Sequence, residues 1–231
     1  MLRPAKILNR QFRKPTRIPY NRVTDDEPMS TRAGERSPCG SIALVSYIPE
    51  PLGSFFYKLR GTLPGESHPQ AHITILPPRP LRVSVNAASE QVLAVLSKFA
   101  PFEVELANVG RFAETGFLFV NVGEGADTFH ALHDALNRGD LAYEEEFEFR
   151  PHLTLGGPVP NADTAAVQDQ AEAAWLAADH ARRFLLDDIA LLCSDTDDPN
   201  GEWYRLWTYS LNTKATALTK AAAAALTNRT S

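Results

Sequence analysis

No stretch of this 231-residue chain approaches the roughly 18 consecutive apolar residues that span a bilayer. Its N-terminus also lacks the apolar core of a secretory signal, so a soluble, cytoplasmic protein with no membrane partner is expected. Cysteine is scarce: Cys39 and Cys193 form no CxxC pair, which predicts neither a disulfide framework nor a zinc site but two ordinary thiols. Basic charge is scarce as well once the first residues are set aside. Residues 1–37 hold nine Lys or Arg against four acids, whereas the remainder holds 14 against 24. A long nucleic acid is bound chiefly through phosphate neutralisation by a basic surface, which this acidic body does not offer. The balance favours a small substrate, and nothing in the pattern calls for more than a monomer.

What is present falls into three parts. Residues 1–37 have no helical or strand periodicity and read as a disordered basic tail, either a genuine extension or residues upstream of a start at Met29. Residues 213–231, with the Ala221–Ala225 run, read as a low-complexity Ala-rich tail. Between them, residues 38–212 alternate strand and helix patterns. Strands are predicted over 41–48, 70–76 (stopped by Pro77 and Pro78), 102–109, 116–122, 147–155, 184–193 and 203–211, the last two separated by a turn at 195–201. Helices are predicted from about 49 to 60, over 86–99, on a face marked by Phe129, Leu132 and Leu136, and over 161–180. The order is β-α-β-α-β and then β-α-β-α-β-β, a five-element unit used twice.

An internal repeat supports the duplication. AHITILPPRP at 71–80 and PHLTLGGPVP at 151–160 share His, an aliphatic residue, Thr, another aliphatic residue and two prolines at equal offsets. Strand side chains alternate faces, so His72 and Thr74 point one way, as do His152 and Thr154, while Ile73, Ile75, Leu153 and Leu155 point to the core. Six histidines and 16 threonines would yield roughly 0.4 His-x-Thr by chance; two copies with aliphatic neighbours are not a chance pattern. Two facing pairs supply two imidazoles that titrate near neutrality and two hydroxyl donors. That set can move a proton on each side of a phosphate and bond its oxygens without a metal.

At these residues, HITI at 72–75 and HLTL at 152–155, the chain resembles the two-histidine (2H) phosphoesterase superfamily, which includes 2'-5' RNA ligase-like proteins and cyclic phosphodiesterases. The resemblance implies an α+β fold of two pseudo-symmetric lobes, each a mainly antiparallel sheet with helices outside, around a central cleft. It also implies His72 and His152 as acid and base, Thr74 and Thr154 as phosphate binders, and no cofactor. Many relatives place a basic residue soon after the second motif, where this chain has Gly156 and Gly157.

Arg150 and Gln70 each lie two residues before a motif histidine, so strand parity puts both on the cleft face as substrate-binding candidates. Arg79 is a weaker candidate on a loop, as is His68. His130 and His133 have helical spacing for two metal ligands but lack a recognisable third partner, so no metal site is expected. Glu144–Glu146 reads as a solvated run, and Trp203, Tyr204, Trp207 and Tyr209 read as core rather than as a stacking platform. The expected activity is metal-independent hydrolysis of a 2',3'-cyclic phosphate or a short 2'-5' or 3'-5' linked nucleotide. RNA end processing or 2'-5' ligation, and nucleotide binding without turnover, stand as the alternatives.

Overall fold

A strand covered on both faces reads as an apolar run, and Ser41–Tyr47 (β1) holds one at residues 42–45, with residues 42–46 all buried and the Ser46 hydroxyl donating to the Asp188 carbonyl. The structure, a computed structural model, describes residues 39–63, 70–157, 164–194 and 203–211. Both tails, His68 and the turn expected at 195–201 lie outside these residues. Leu52–Thr62 (α1) follows β1 and buries Leu52, Phe56 and Leu59 at helical spacing, while the Glu50 carboxylate accepts the Ser54 N–H at 3.1 Å near its start. His72–Pro80 (β2) comes next. Val85–Leu96 (α2) is capped by Ser84, whose side chain accepts the Ala87 N–H, and buries Ala88, Val92 and Leu96 at every fourth position.

The second half runs Phe102–Arg111 (β3), Leu118–Val122 (β4), Ala126–Leu136 (α3), His152–Gly156 (β5) and Thr164–Leu176 (α4). Arg183–Leu186 (β6), Asp188–Ser194 (β7) and Trp203–Ser210 (β8) follow. The sheet order is β6-β3-β4-β5-β2-β1-β7-β8, and every pairing is antiparallel. Asp187 alone separates β6, at one edge, from β7, six places away. In a flat sheet those strands would stand about 29 Å apart, whereas two Cα steps reach only about 7 Å. The sheet therefore curls into a half-barrel.

The expected duplication is present in the form β1-α1-β2-α2-β3 and β4-α3-β5-α4-β7. Each unit places its last strand in the other lobe, since β3 pairs with β4 and β7 with β1. Helices cross over in the same way, with α1 touching β5 and α3 touching β2. The lobes meet at β2 and β5, so the two repeated motifs occupy the centre of the sheet.

Four expectations are corrected. Pro77 and Pro78 do not end β2, because the ladder to β1 shifts register between Ile42↔Arg79 and Leu44↔Leu76 and absorbs the prolines in an irregularity. The strand expected from residue 147 starts only at His152, because Phe149 is turned to stack on His133 (centroids 4.0 Å apart) and Pro151 has no N–H for a ladder. The stretch 184–193 is two strands that serve opposite lobes, divided at Asp187. Cys39 and Cys193 are not free thiols but a disulfide, with Cα atoms 5.8 Å apart. Pairing of β1 with β7, which sets Ile42 opposite Cys193, brings together two residues 154 positions apart in sequence. On the closing strand, Tyr209 is buried and Trp207 packs on the core, its indole N–H donating to Ser89 Oγ at 3.1 Å.

Candidate active site

β2 and β5 are paired through Ile73 opposite Leu153. In an antiparallel pair this register sets His72 opposite Thr154 and Thr74 opposite His152. Directly opposed residues share a face, so all four side chains rise from one side of the sheet while Ile73, Ile75, Leu153 and Leu155 are fully buried on the other. The two histidines lie diagonally across the pair, a relation that separates such neighbours by roughly 7–8 Å, with their Cβ atoms somewhat closer.

Each ring is oriented by the same bond. His72 Nδ1–H donates to the Gln70 carbonyl at 2.7 Å, and His152 Nδ1–H donates to the Arg150 carbonyl at 2.6 Å. With the proton held on Nδ1, the Nε2 lone pair of each neutral ring is available. Burial pushes the His72 imidazolium down to about 4; the Gln70 bond acts against this, and the Arg60 and His152 charges add to it. Burial also lowers His152, opposed by its carbonyl bond and helped by Arg150. Both rings are thus neutral at neutral pH.

The residues at positions 70 and 150 therefore enter the site in a way that strand parity did not anticipate. Neither belongs to a strand, because β2 and β5 begin at the histidines themselves. Gln70 contributes its backbone carbonyl. Arg150 contributes a carbonyl and a side chain, whose guanidinium lies 4.9 Å from the Phe119 ring centroid and donates to Asn121 Oδ1 at 2.5 Å. Asn121 in turn pairs with His152 across β4 and β5. Phe112 and Phe119 meet the His152 ring edge-on at 4.9 and 5.5 Å, and Tyr47, beneath the Arg205 guanidinium, flanks His72 at 6.3 Å.

Arg79 is not a loop residue facing substrate. It lies in β2, 2% exposed, and its guanidinium donates to Asn137 Oδ1, the Leu141 and Pro77 carbonyls and Glu145, the last at 2.5 Å. Glu145 also accepts from His133 Nε2 at 2.9 Å, so part of the acidic run is a structural anchor rather than a solvated face. Among the described residues, no three His, Cys, Asp or Glu side chains are grouped as a metal site. Nor is any helix there long and apolar enough to cross a membrane.

Sequence reasoning passed over Arg60. This residue of α1 is buried, and its guanidinium donates to the Thr154 carbonyl, tying the helix to the strand that bears the second motif. Burial lowers its pKa to about 10, which leaves it charged at neutral pH. The signal was a basic residue eight positions after Leu52 and four after Phe56, on the buried face of an amphipathic helix. The second glycine after the second motif also has a local cause. Gly157 sits at φ +123°, and a Cβ there would come within 2.9 Å of Phe117 Cα, so a basic side chain at that position would be strained.

A cavity of about 790 Å³ opens beside His152, Thr74 and Arg150, with Phe112 and Phe149 in its wall. His72 is not part of its lining, so the cavity flanks one side of the two-histidine centre.

A family model described as the 2'-5' RNA ligase superfamily matches residues 49–198. A protein of Geobacillus kaustophilus (strain HTA426), provisionally named a phosphoesterase, is 27% identical over 108 residues, 43% of this chain and 62% of its own length. One from Bacillus cereus (strain B4264), similarly named, is 28% identical over 104 residues, 42% of this chain and 60% of its own. The match thus spans about three-fifths of the length of these curated relatives. Among solved structures, E. coli LigT complexed with 3'-AMP aligns with a TM-score of 0.52 at 12% identity, covering 76% of this chain and 99% of that one. A Thermus thermophilus protein aligns at 0.50 and 20% identity, covering 75% and 99%. At these identities the likeness to solved structures is one of fold.

Proposed function

Because the chain belongs to the 2'-5' RNA ligase superfamily, we propose that it is a phosphodiesterase that hydrolyses a 2',3'-cyclic phosphate or a short 2'-5' or 3'-5' linked nucleotide, with His72 and His152 as its proton carriers. The observation that carries this reading is the Ile73–Leu153 register, which sets two His/Thr pairs on one face with both Nδ1 protons held by carbonyls. His152 Nε2 takes a proton from water as the oxygen attacks phosphorus. The bond from phosphorus to the leaving oxygen breaks, and His72 Nε2–H protonates that oxygen. His72 is neutral in the free site, and the bound phosphate anion draws a proton onto it by opposing the effect of burial. Thr74 and Thr154 donate to the non-bridging oxygens, where negative charge must be stabilised, and Arg150 adds a charged donor at the His152 side. Gln70 orients His72 through its carbonyl.

The test is a screen of the purified protein against 2',3'-cyclic nucleotides, linear 2'-5' dinucleotides and tRNA halves. Hydrolysis of a cyclic or short linear substrate is expected. Joining of tRNA halves without such hydrolysis would move the protein to RNA ligation, and binding without turnover would make it a nucleotide-binding module.

A further inference from the structure

The cavity beside His152 has a character that the two-histidine centre does not require. Its wall is aromatic, with Phe112, Phe147 and Phe149 among its rings, while Glu114, Glu146 and Glu148 add three carboxylates. These three glutamates are exposed, and none has an ion pair among those found for the described residues. Glu145 also lines the cavity but is neutralised by Arg79. Against the three stands one cationic lining residue, Arg150, whose guanidinium is held at the His152 end by Asn121 and the Phe119 ring.

The lining is therefore mixed in charge: His152, Thr74 and Arg150 supply imidazole, hydroxyl and guanidinium donors for one phosphate, while the rest of the lining is rich in aromatic rings and net negative. An uncharged planar group gains ring contact there. A second phosphate would meet like charge in a cleft whose low-dielectric walls concentrate the field.

Resting on the phosphodiesterase reading of this site, we propose that the cavity is a charge-selective pocket that seats the uncharged aromatic base of a nucleotide carrying a single phosphate and rejects a second phosphate. A nucleoside 2',3'-cyclic phosphate with a free 5'-hydroxyl fits this requirement. Its 5'-phosphorylated counterpart does not.

The experiment measures calorimetric Kd values of the full chain for adenosine 2',3'-cyclic phosphate and for the same compound bearing a 5'-phosphate, at low and high salt, with turnover followed in the same samples. The 5'-phosphate should weaken binding by about tenfold or more at low salt, and the difference should shrink at high salt as the carboxylates are screened. The Glu146→Gln/Glu148→Gln variant should lose at least about half of the logarithm of that difference, with a smaller change for the single-phosphate compound than for its 5'-phosphorylated counterpart. Both glutamates are exposed, and a melting curve checks that the variant is folded. Equal or tighter binding of the 5'-phosphorylated compound overturns the proposal, as does a difference that the variant leaves intact or the failure of both compounds to bind. If the difference is found but neither compound is hydrolysed, the phosphodiesterase reading fails and the pocket assignment stands.

Discussion

Ile73 of β2 stands opposite Leu153 of β5, and this pairing unites the halves of the sheet. Both side chains are fully buried, so the register is held by the core. A slip of one residue would exchange the faces of the whole motif and sink the histidines into apolar surroundings. The site is thus a consequence of packing on the far side of the same two strands.

If His72 is the acid and His152 the base, a substrate with a good leaving group will tell them apart. On a p-nitrophenyl phosphodiester, His72→Ala should be largely rescued, because little protonation of the leaving oxygen is needed, and His152→Ala should not. Rates on this ester and on a nucleotide, compared for each variant, check it. The opposite pattern exchanges the roles.

Thr74→Ala and Thr154→Ala should each cost less than either histidine substitution, because one phosphate donor is lost while others remain. Steady-state kcat values on a cyclic nucleotide check this. A threonine variant as impaired as a histidine variant would mean that the hydroxyl does more than bond an oxygen.

Much of this was legible in the residues. The His-x-Thr copies at 72 and 152 and the alternation around them gave the strand faces, and Phe129, Leu132 and Leu136 gave the buried side of α3. Long-range partners were not legible. Nothing local to Cys39 or Cys193 reports that β1 and β7 are neighbours, and nothing local to Arg79 reports that Glu145 and Asn137 surround it. Strand parity had no strand to act on at 70 and 150, although the Arg150 side chain does line the cavity beside His152. The ladder begins only at the histidines, and the preceding carbonyls turn inward to hold their rings.

The lowered histidine pKa values predict acid sensitivity. The unfolded chain takes up protons near the ordinary value of about 6.5, whereas folded His72 resists until about 4 and folded His152 is also lowered. Their contribution to stability is present above the unfolded value and is lost as pH falls from about 6.5 towards 4. Denaturation midpoints measured across this range should fall with pH, and His72→Asn should flatten the dependence. An unchanged slope in that variant would contradict the assignment. Inorganic phosphate, which favours the protonated rings, should bind more tightly as pH is lowered from 7 to about 5.

Protein purified without reductant should show no titratable thiol when denatured, and reduction should lower its melting temperature by an amount equivalent to roughly 2–4 kcal/mol. Two free thiols in the unreduced protein would contradict the Cys39–Cys193 bond.

Turnover of a 2',3'-cyclic nucleotide in the presence of EDTA, by the wild type and by the His72→Ala and His152→Ala proteins, tests the two-histidine centre most directly. The wild-type rate should be unaffected by the chelator, and each substitution should lower kcat by about 10² to 10⁴ while the fold is retained. Full activity in both variants, or a wild-type rate abolished by EDTA and restored by one divalent ion, would contradict it.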